Sequence, residues 1–314
     1  MGETSAIEWT DATVNFWWGC TKVGPGCDHC YAEALDKRFG PSHWGTGTPR
    51  RQIASAATTL AKLNRQGGKR VFIQSMSDLF DNEVPTDWFA EAWEGIQRAT
   101  RCRIQIVTKR ISMVEKRLTE IGAIKFGWPS HAGLMITVVN QSEADRDIPR
   151  LLALKVKLGI PWVGLSMEPL LGPVDLVNLH PSPMMTIDAL HGRSLSREGD
   201  YSEDEPRLNW VIVGGESGPK ARPIHPDWAR GLRGQCQAAG VPFFFKQWGE
   251  WGDLHDHGAQ RTWMLMHADG TLDIPDDRWP DEEAGEIAVV KVGKARAGRF
   301  LDGREWNDMP GALT

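Results

Sequence analysis

Short apolar, β-branched runs alternate with helix-patterned segments along most of the chain, and this rhythm limits the fold more than any other feature. Val71-Phe72-Ile73 follows a Gly67-Gly68 turn and reads as a strand. Residues 86–99 read as a helix, with Phe89, Trp93 and Ile96 at helical spacing. Residues 103–108 are the next strand. Residues 112–121 form a helix whose buried stripe is Val114, Leu118 and Ile121, and Ser112 with Glu115 predicts a capping box at its start. A strand over 134–139 precedes a helix over 142–158 that Gly159 and Pro161 close. Strands follow at 162–167 and 209–213. A helix over 226–239 opens with Pro226 and ends at Gly240, and a strand over 241–245 closes the series. Strand and helix in alternation at this spacing imply parallel βα units. The predicted class is α/β: a full or partial TIM-like (β/α) barrel of six or seven units, with a C-terminal irregular extension.

Two stretches break the rhythm. Residues 187–207 are polar, with Glu198, Asp200, Glu203, Asp204 and Glu205 in one run, and read as a solvated loop or flexible insertion. From Gly252 the alternation stops. Residues 255–280 read as a small hairpin or irregular extension, and 298–304 as a turn-rich tail that folds back on the barrel. The expected division is therefore 1–251 for the barrel with its N-terminal cysteine loop, and 252–314 for an extension packed on it.

Composition narrows the function. The formal net charge of −5 argues against a broad basic surface for sequence-independent duplex binding. No run approaches the length of a membrane span, and residues 1–5 lack the basic-then-apolar order of a signal peptide, so a cytoplasmic protein without membrane partners is expected. Fifteen Trp stand against two Tyr, which suits core edges and ligand pockets. Five Cys without a secretion signal do not suggest a disulfide framework. Cys102 and Cys236 stand alone and read as small buried hydrophobes.

The other three fall in one segment, Gly19-Cys20-Thr21-Lys22-Val23-Gly24-Pro25-Gly26-Cys27-Asp28-His29-Cys30-Tyr31, with spacing C-x6-C-x2-C. Thiolates are soft ligands that favour iron–sulfur clusters and zinc. The Gly24-Pro25-Gly26 turn lets the chain curl so that Cys20 joins Cys27 and Cys30. Structural zinc closes with four protein ligands, whereas a 4Fe-4S cluster held by three Cys leaves one iron open. Zinc with three Cys and a His, either His29 or a distant one, is the alternative. It would make the protein a non-catalytic zinc or iron–sulfur module scaffolding nucleic-acid or protein interaction.

The segment resembles the cysteine loop of radical S-adenosylmethionine enzymes, whose usual spacing is C-x3-C-x2-C with a commonly aromatic residue before the last Cys. The first gap here is longer. With Ser75-Met76-Ser77-Asp78-Leu79-Phe80, Thr108-Lys109-Arg110, Gly214-Gly215-Glu216-Ser217-Gly218 and the segment from Phe245 to Trp251, the chain resembles an atypical three-cysteine family of phages and bacteria with a radical-SAM-like fold. The resemblance implies a 4Fe-4S cluster on Cys20, Cys27 and Cys30, whose open iron binds S-adenosylmethionine. It implies an electron donor such as flavodoxin or ferredoxin, reductive cleavage of the sulfonium, and hydrogen abstraction by a 5′-deoxyadenosyl radical. His29, before the last Cys, would pack near the adenine, with Tyr31 beside it.

Functional side chains of a barrel gather at the C-terminal ends of its strands. Ser75, Ser77 and Asp78 stand where enzymes of this type receive the cofactor's ammonium, or else form a helix cap. Lys109 and Arg110 can pair with a carboxylate or phosphate, or be a solvated surface pair. Asn140, Gln141 and Glu168 can hydrogen-bond cofactor or substrate, or serve as turn residues. Gly214, Gly215 and Glu216 allow close backbone approach to a ligand. Lys246-Gln247-Trp248-Gly249-Glu250-Trp251 could stack and read a base, but reads slightly better as a packed lid. The local cations and the phage association suggest a nucleobase, nucleotide or nucleic-acid substrate.

Overall fold

The computed structural model describes residues 4–258, 263–275 and 278–313. Residues 1–3 of the N-terminal reading, and 259–262 and 276–277 within the expected hairpin, lie outside the described residues. Seven strands form one sheet in chain order: β1 (Ala12–Val14), β2 (Arg70–Ile73), β3 (Arg103–Thr108), β4 (Ala132–Thr137), β5 (Val163–Met167), β6 (Trp210–Gly214) and β7 (Phe243–Gln247). Every neighbouring pair is parallel. Among the described residues β1 and β7 do not pair, so the sheet is a curled half-barrel rather than a closed ring.

Side chains alternate along each strand, so the sheet buries two faces. On the convex face, Leu60 and Leu63 of α2 (Ala56–Gln66), Phe89, Trp93 and Ile96 of α3 (Thr86–Arg98), and Val114 and Leu118 of α4 (Ile111–Glu120) share one core with Ile73 and Ile106. Ile148 and Leu151 of α5 (Gln141–Leu158) and Leu232 of α6 (Pro226–Ala239) continue it. On the concave face Trp9, Phe72, Met135, Trp162, Trp210, Ile212, Phe244 and Leu313 fill the inside of the curl. Burial on both faces is why the strands read as apolar runs. Room for the indoles comes from glycine: a Cβ at Gly133 would lie 1.9 Å from the Trp162 ring.

Three expectations change. The capping box does not form. The helix α4 starts at Ile111, one residue before Ser112, and no side chain caps it; Thr108 Oγ1 instead accepts from Arg110 N at 2.9 Å. The polar stretch after β5 is ordered as a four-stranded antiparallel sheet of Leu179–Ser182, Met185–Asp188, Arg193–Ser196 and Tyr201–Ser202. Its residues are largely exposed, so no apolar alternation betrays it. Third, the region after β7 contains another antiparallel sheet, ordered Trp251–Asp253, Ile287–Lys291, Trp263–Met266, Leu272–Asp273.

The tail returns to the half-barrel. Phe245 N donates to Trp306 O at 2.9 Å, Asp308 N to Phe243 O at 3.2 Å and Trp248 N to Gly298 O at 3.1 Å, so the tail covers the free edge of β7. No helix among the described residues is long and apolar enough to cross a membrane.

Candidate functional site

A cavity of about 370 Å³ opens at the C-terminal ends of the strands. Cys20, Cys27 and Cys30 line it, with the loop from Cys20 to α1 (Tyr31–Asp36) forming one wall. Gly26 lies close against the end of β4: a Cβ there would sit 2.7 Å from Val139 Cγ1. Glycine is needed at this contact for that reason.

The loop is clamped at both ends. At its start, Arg110 Nη2 donates to Thr21 O at 2.7 Å and lies 3.6 Å from Cys20 Sγ. Arg50, also buried, donates to Thr21 Oγ1 at 2.7 Å and pairs with buried Asp81 at 2.8 Å. At its far end Arg222 donates to Pro25 O at 2.9 Å and to Asp28 Oδ2 at 3.2 Å. Arg222 is held by Glu216, which accepts from its backbone N, Nε and Nη2 at 2.8, 2.9 and 2.7 Å. His29 Nδ1 lies 3.0 Å from the same carboxylate. Burial acts to raise the pKa of Glu216, but the Arg222 and His29 hydrogen bonds outweigh it and hold the carboxyl below its usual range. Glu216 and His29 thus line the cavity while bracing the cysteine loop.

Several expected residues have structural employment at the rim. Asp78 accepts from Thr108 Oγ1 at 2.8 Å, Lys109 N at 2.9 Å and Phe80 N at 2.9 Å, tying the ends of β2 and β3 together. Burial pushes its pKa up against these bonds and the Arg110 charge. Ser75 Oγ accepts from Asn15 Nδ2 at 3.0 Å, Ser77 Oγ donates to Trp17 O at 3.0 Å, and Tyr31 Oη donates to Ser75 O at 2.7 Å. All four line the cavity. Asn140 and Gln141 do not. Asn140 caps α5, accepting from Glu143 N at 2.9 Å, and Gln141 bonds Asp145 and the Asp175 backbone. Gly214 is likewise outside the lining. Gly215 is inside it, and packs so tightly on Trp248 that a Cβ would lie 1.9 Å from Trp248 O.

The inner layer of the cavity carries the residues free to bind. Lys109 Nζ donates to Thr137 Oγ1 at 3.1 Å and forms no ion pair among the described residues. Glu168 is gripped by Lys246 Nζ at 2.8 Å and by Gln247 Nε2 at 3.0 Å. Gln247 and Gln74 line the cavity, and their Oε1 and Nε2 are buried without a partner among the described residues. Such atoms are costly unless something bonds them. Gln74 also has a left-handed backbone, φ 69°, with its Oε1 accepting from Phe16 N at 2.7 Å. Trp9, Phe72 and Val107 close the cavity from below.

Burial pushes the Cys20 thiol up to about 12, with the Asp78 charge adding to it. A neutral thiol of this kind is a poor nucleophile but becomes a ligand when a metal displaces its proton. Among the described residues, no three His, Cys, Asp or Glu side chains converge to hold a single metal ion. Cys102 and Cys236 are buried in the convex core. Trp248 and Trp251 are not in the cavity lining; their indole N–H groups donate to Phe300 O and Ala221 O at 2.7 and 2.6 Å.

Arg50, Asp81 and Trp44 were not foreseen as part of the site, and the sequence marks Arg222 only as positive charge near segment 214–218, suited to a phosphate-bearing substrate, not as a brace of the cysteine loop. Their roles depend on contacts across long sequence separations, and a lone Arg or Trp carries no motif.

The family described as "Protein of unknown function (DUF5131)" matches residues 4–310. No curated protein matches. A solved structure, "Spore photoproduct lyase complexed with dinucleoside spore photoproduct", aligns over 87% of this chain and 68% of its own at 11% identity. The TM-score of 0.31 is too low for this likeness to carry an argument.

Proposed function

The chain belongs to that family of unknown function, and from its site we propose that it is a radical S-adenosylmethionine enzyme. The observation that carries the reading is the set of three thiols from one clamped loop, all lining a cavity at the C-terminal ends of a parallel half-barrel. The donor set fits a 4Fe-4S cluster. Zinc draws its thiolates to about 2.3 Å from a single point, while a cluster distributes them over separate irons. Three soft thiols from one loop are the donor set such a cluster takes.

Cys20, Cys27 and Cys30 would hold the cluster. When bound, it supplies one electron to the sulfonium of S-adenosylmethionine at its open iron. The chain's own residues do the rest. Lys109, in no ion pair among the described residues, offers an ammonium to an anionic group of the cofactor or of a nucleotide-type substrate. Gln74 Nε2 offers a donor and Gln247 Oε1 an acceptor. Lys246 fixes the Glu168 carboxylate towards the same space. Trp9, Phe72 and Val107 exclude water from beneath.

The test is turnover. Protein reconstituted anaerobically, then given dithionite and S-adenosylmethionine, is expected to release 5′-deoxyadenosine. Cys20→Ala, Cys27→Ala and Cys30→Ala should each abolish release. A colourless protein with one zinc per chain and no release would discard the proposal.

A further inference from the structure

Resting on the function proposed above, we infer that Arg110 is a positioning residue that sets the reduction potential of a cluster held by Cys20, Cys27 and Cys30. Of the three thiols, only Cys20 has a cationic side chain at its sulfur among the described residues: Arg110 Nη2, at 3.6 Å. The same nitrogen donates to Thr21 O at 2.7 Å, so one guanidinium end holds both the sulfur and the backbone beside it. A planar, permanently charged donor suits this double task.

The positive charge is partly offset by the buried Asp78 and Asp81 carboxylates, and what Arg110 adds is the direct bond to the sulfur. Asp81, the carboxylate within ion-pair reach, lies 3.8 Å from Arg110 but is taken at 2.8 Å by Arg50. Asp78 accepts from Thr108, Phe80 and the Lys109 backbone, neutral donors that leave its charge acting on both Arg110 and Cys20, whereas only Arg110 bonds the sulfur. Arg110 is only 8% exposed, so solvent screens it little. Its Nε has no partner among the described residues, consistent with a side chain directed by its far end. A cation bonded to a ligand sulfur stabilises the reduced, more negative cluster and raises its potential.

The experiment is an EPR-monitored redox titration of anaerobically reconstituted wild type, Arg110→Met and Arg110→Lys, without S-adenosylmethionine, alongside iron analysis. Arg110→Met is expected to keep its iron while its reduced fraction at fixed potential falls at least tenfold, a shift of about 59 mV for one electron. Arg110→Lys keeps the charge without the fork and should shift less. A purely structural role would leave the potential in place, so an unmoved midpoint in iron-replete Arg110→Met overturns the inference alone. If Arg110→Met loses its iron, a midpoint in Arg110→Lys at or above that of wild type overturns it. Wild type that takes up no iron overturns the proposed function itself.

Discussion

Replacing Arg222 should unfasten the cysteine loop, and the structure sets the size of the effect. Glu216 is 5% exposed and accepts two side-chain bonds from Arg222, one of them also a close ion pair at 2.7 Å. Charge-assisted bonds contribute about 1.5–3 kcal/mol each, and breaking a buried pair from one side costs about 3–5 kcal/mol. The Arg222 side chain is 28% exposed, which screens part of this. Arg222→Met should therefore cost about 2–3 kcal/mol at pH 7, and Glu216→Gln less, because the amide keeps shape and some bonding. Urea unfolding of both singles and the double gives the coupling energy, expected at about 1.5–2 kcal/mol. The sign with pH follows from the depressed carboxyl. Its contribution is complete above the unfolded Glu range, about 4.3, and is lost as pH falls towards the lower folded pKa. Hydrogen exchange should quicken at residues 24–30 in Arg222→Met. Additive single mutants, within about 0.5 kcal/mol, with exchange in the loop unchanged, would refute the clamp.

Other expectations concern stability and the spare thiols. Burial lowers the pKa of His225, which caps α6 through Nδ1 and donates from Nε2 to Gly285 O at 3.1 Å. The unfolded chain binds a proton below about pH 6.5 that the folded chain resists, so stability should fall with pH there by up to about 1.4 kcal/mol per unit. A flat profile between pH 7 and pH 5.5, measured against His225→Gln, would contradict this. Gly133→Ala places a Cβ against the Trp162 indole and should cost about 1–3 kcal/mol in urea unfolding; an unchanged midpoint would mean the inner core yields freely. Cys102→Ala and Cys236→Ala should keep full iron content, since both thiols lie in the convex core.

Much of the half-barrel was legible because strands buried on both faces leave apolar runs that no loop imitates. The strand over 103–108 and the helix over 226–239 match residue for residue. The insertion after β5 was missed because it contributes few residues to a core. The capping box failed because Ser112 and Glu115 satisfy a spacing, while the true start was decided by Thr108 one turn earlier. At the site, residue type and strand-end position found Lys109, Glu168 and the cysteines. They could not show that Glu216 and His29 brace the loop or that Arg50 grips Thr21, because those partners meet only once the sheet has curled. Asn140 and Gln141 show the converse: strand-end amides whose bonds serve the helix start.

The most direct measurement is the EPR spectrum of the dithionite-reduced, reconstituted protein before and after adding S-adenosylmethionine. If the proposed cluster has three thiol ligands and one accessible iron, the signal must change when the amino and carboxylate groups bind. A cluster signal indifferent to saturating cofactor, or no cluster signal at all, would contradict the account.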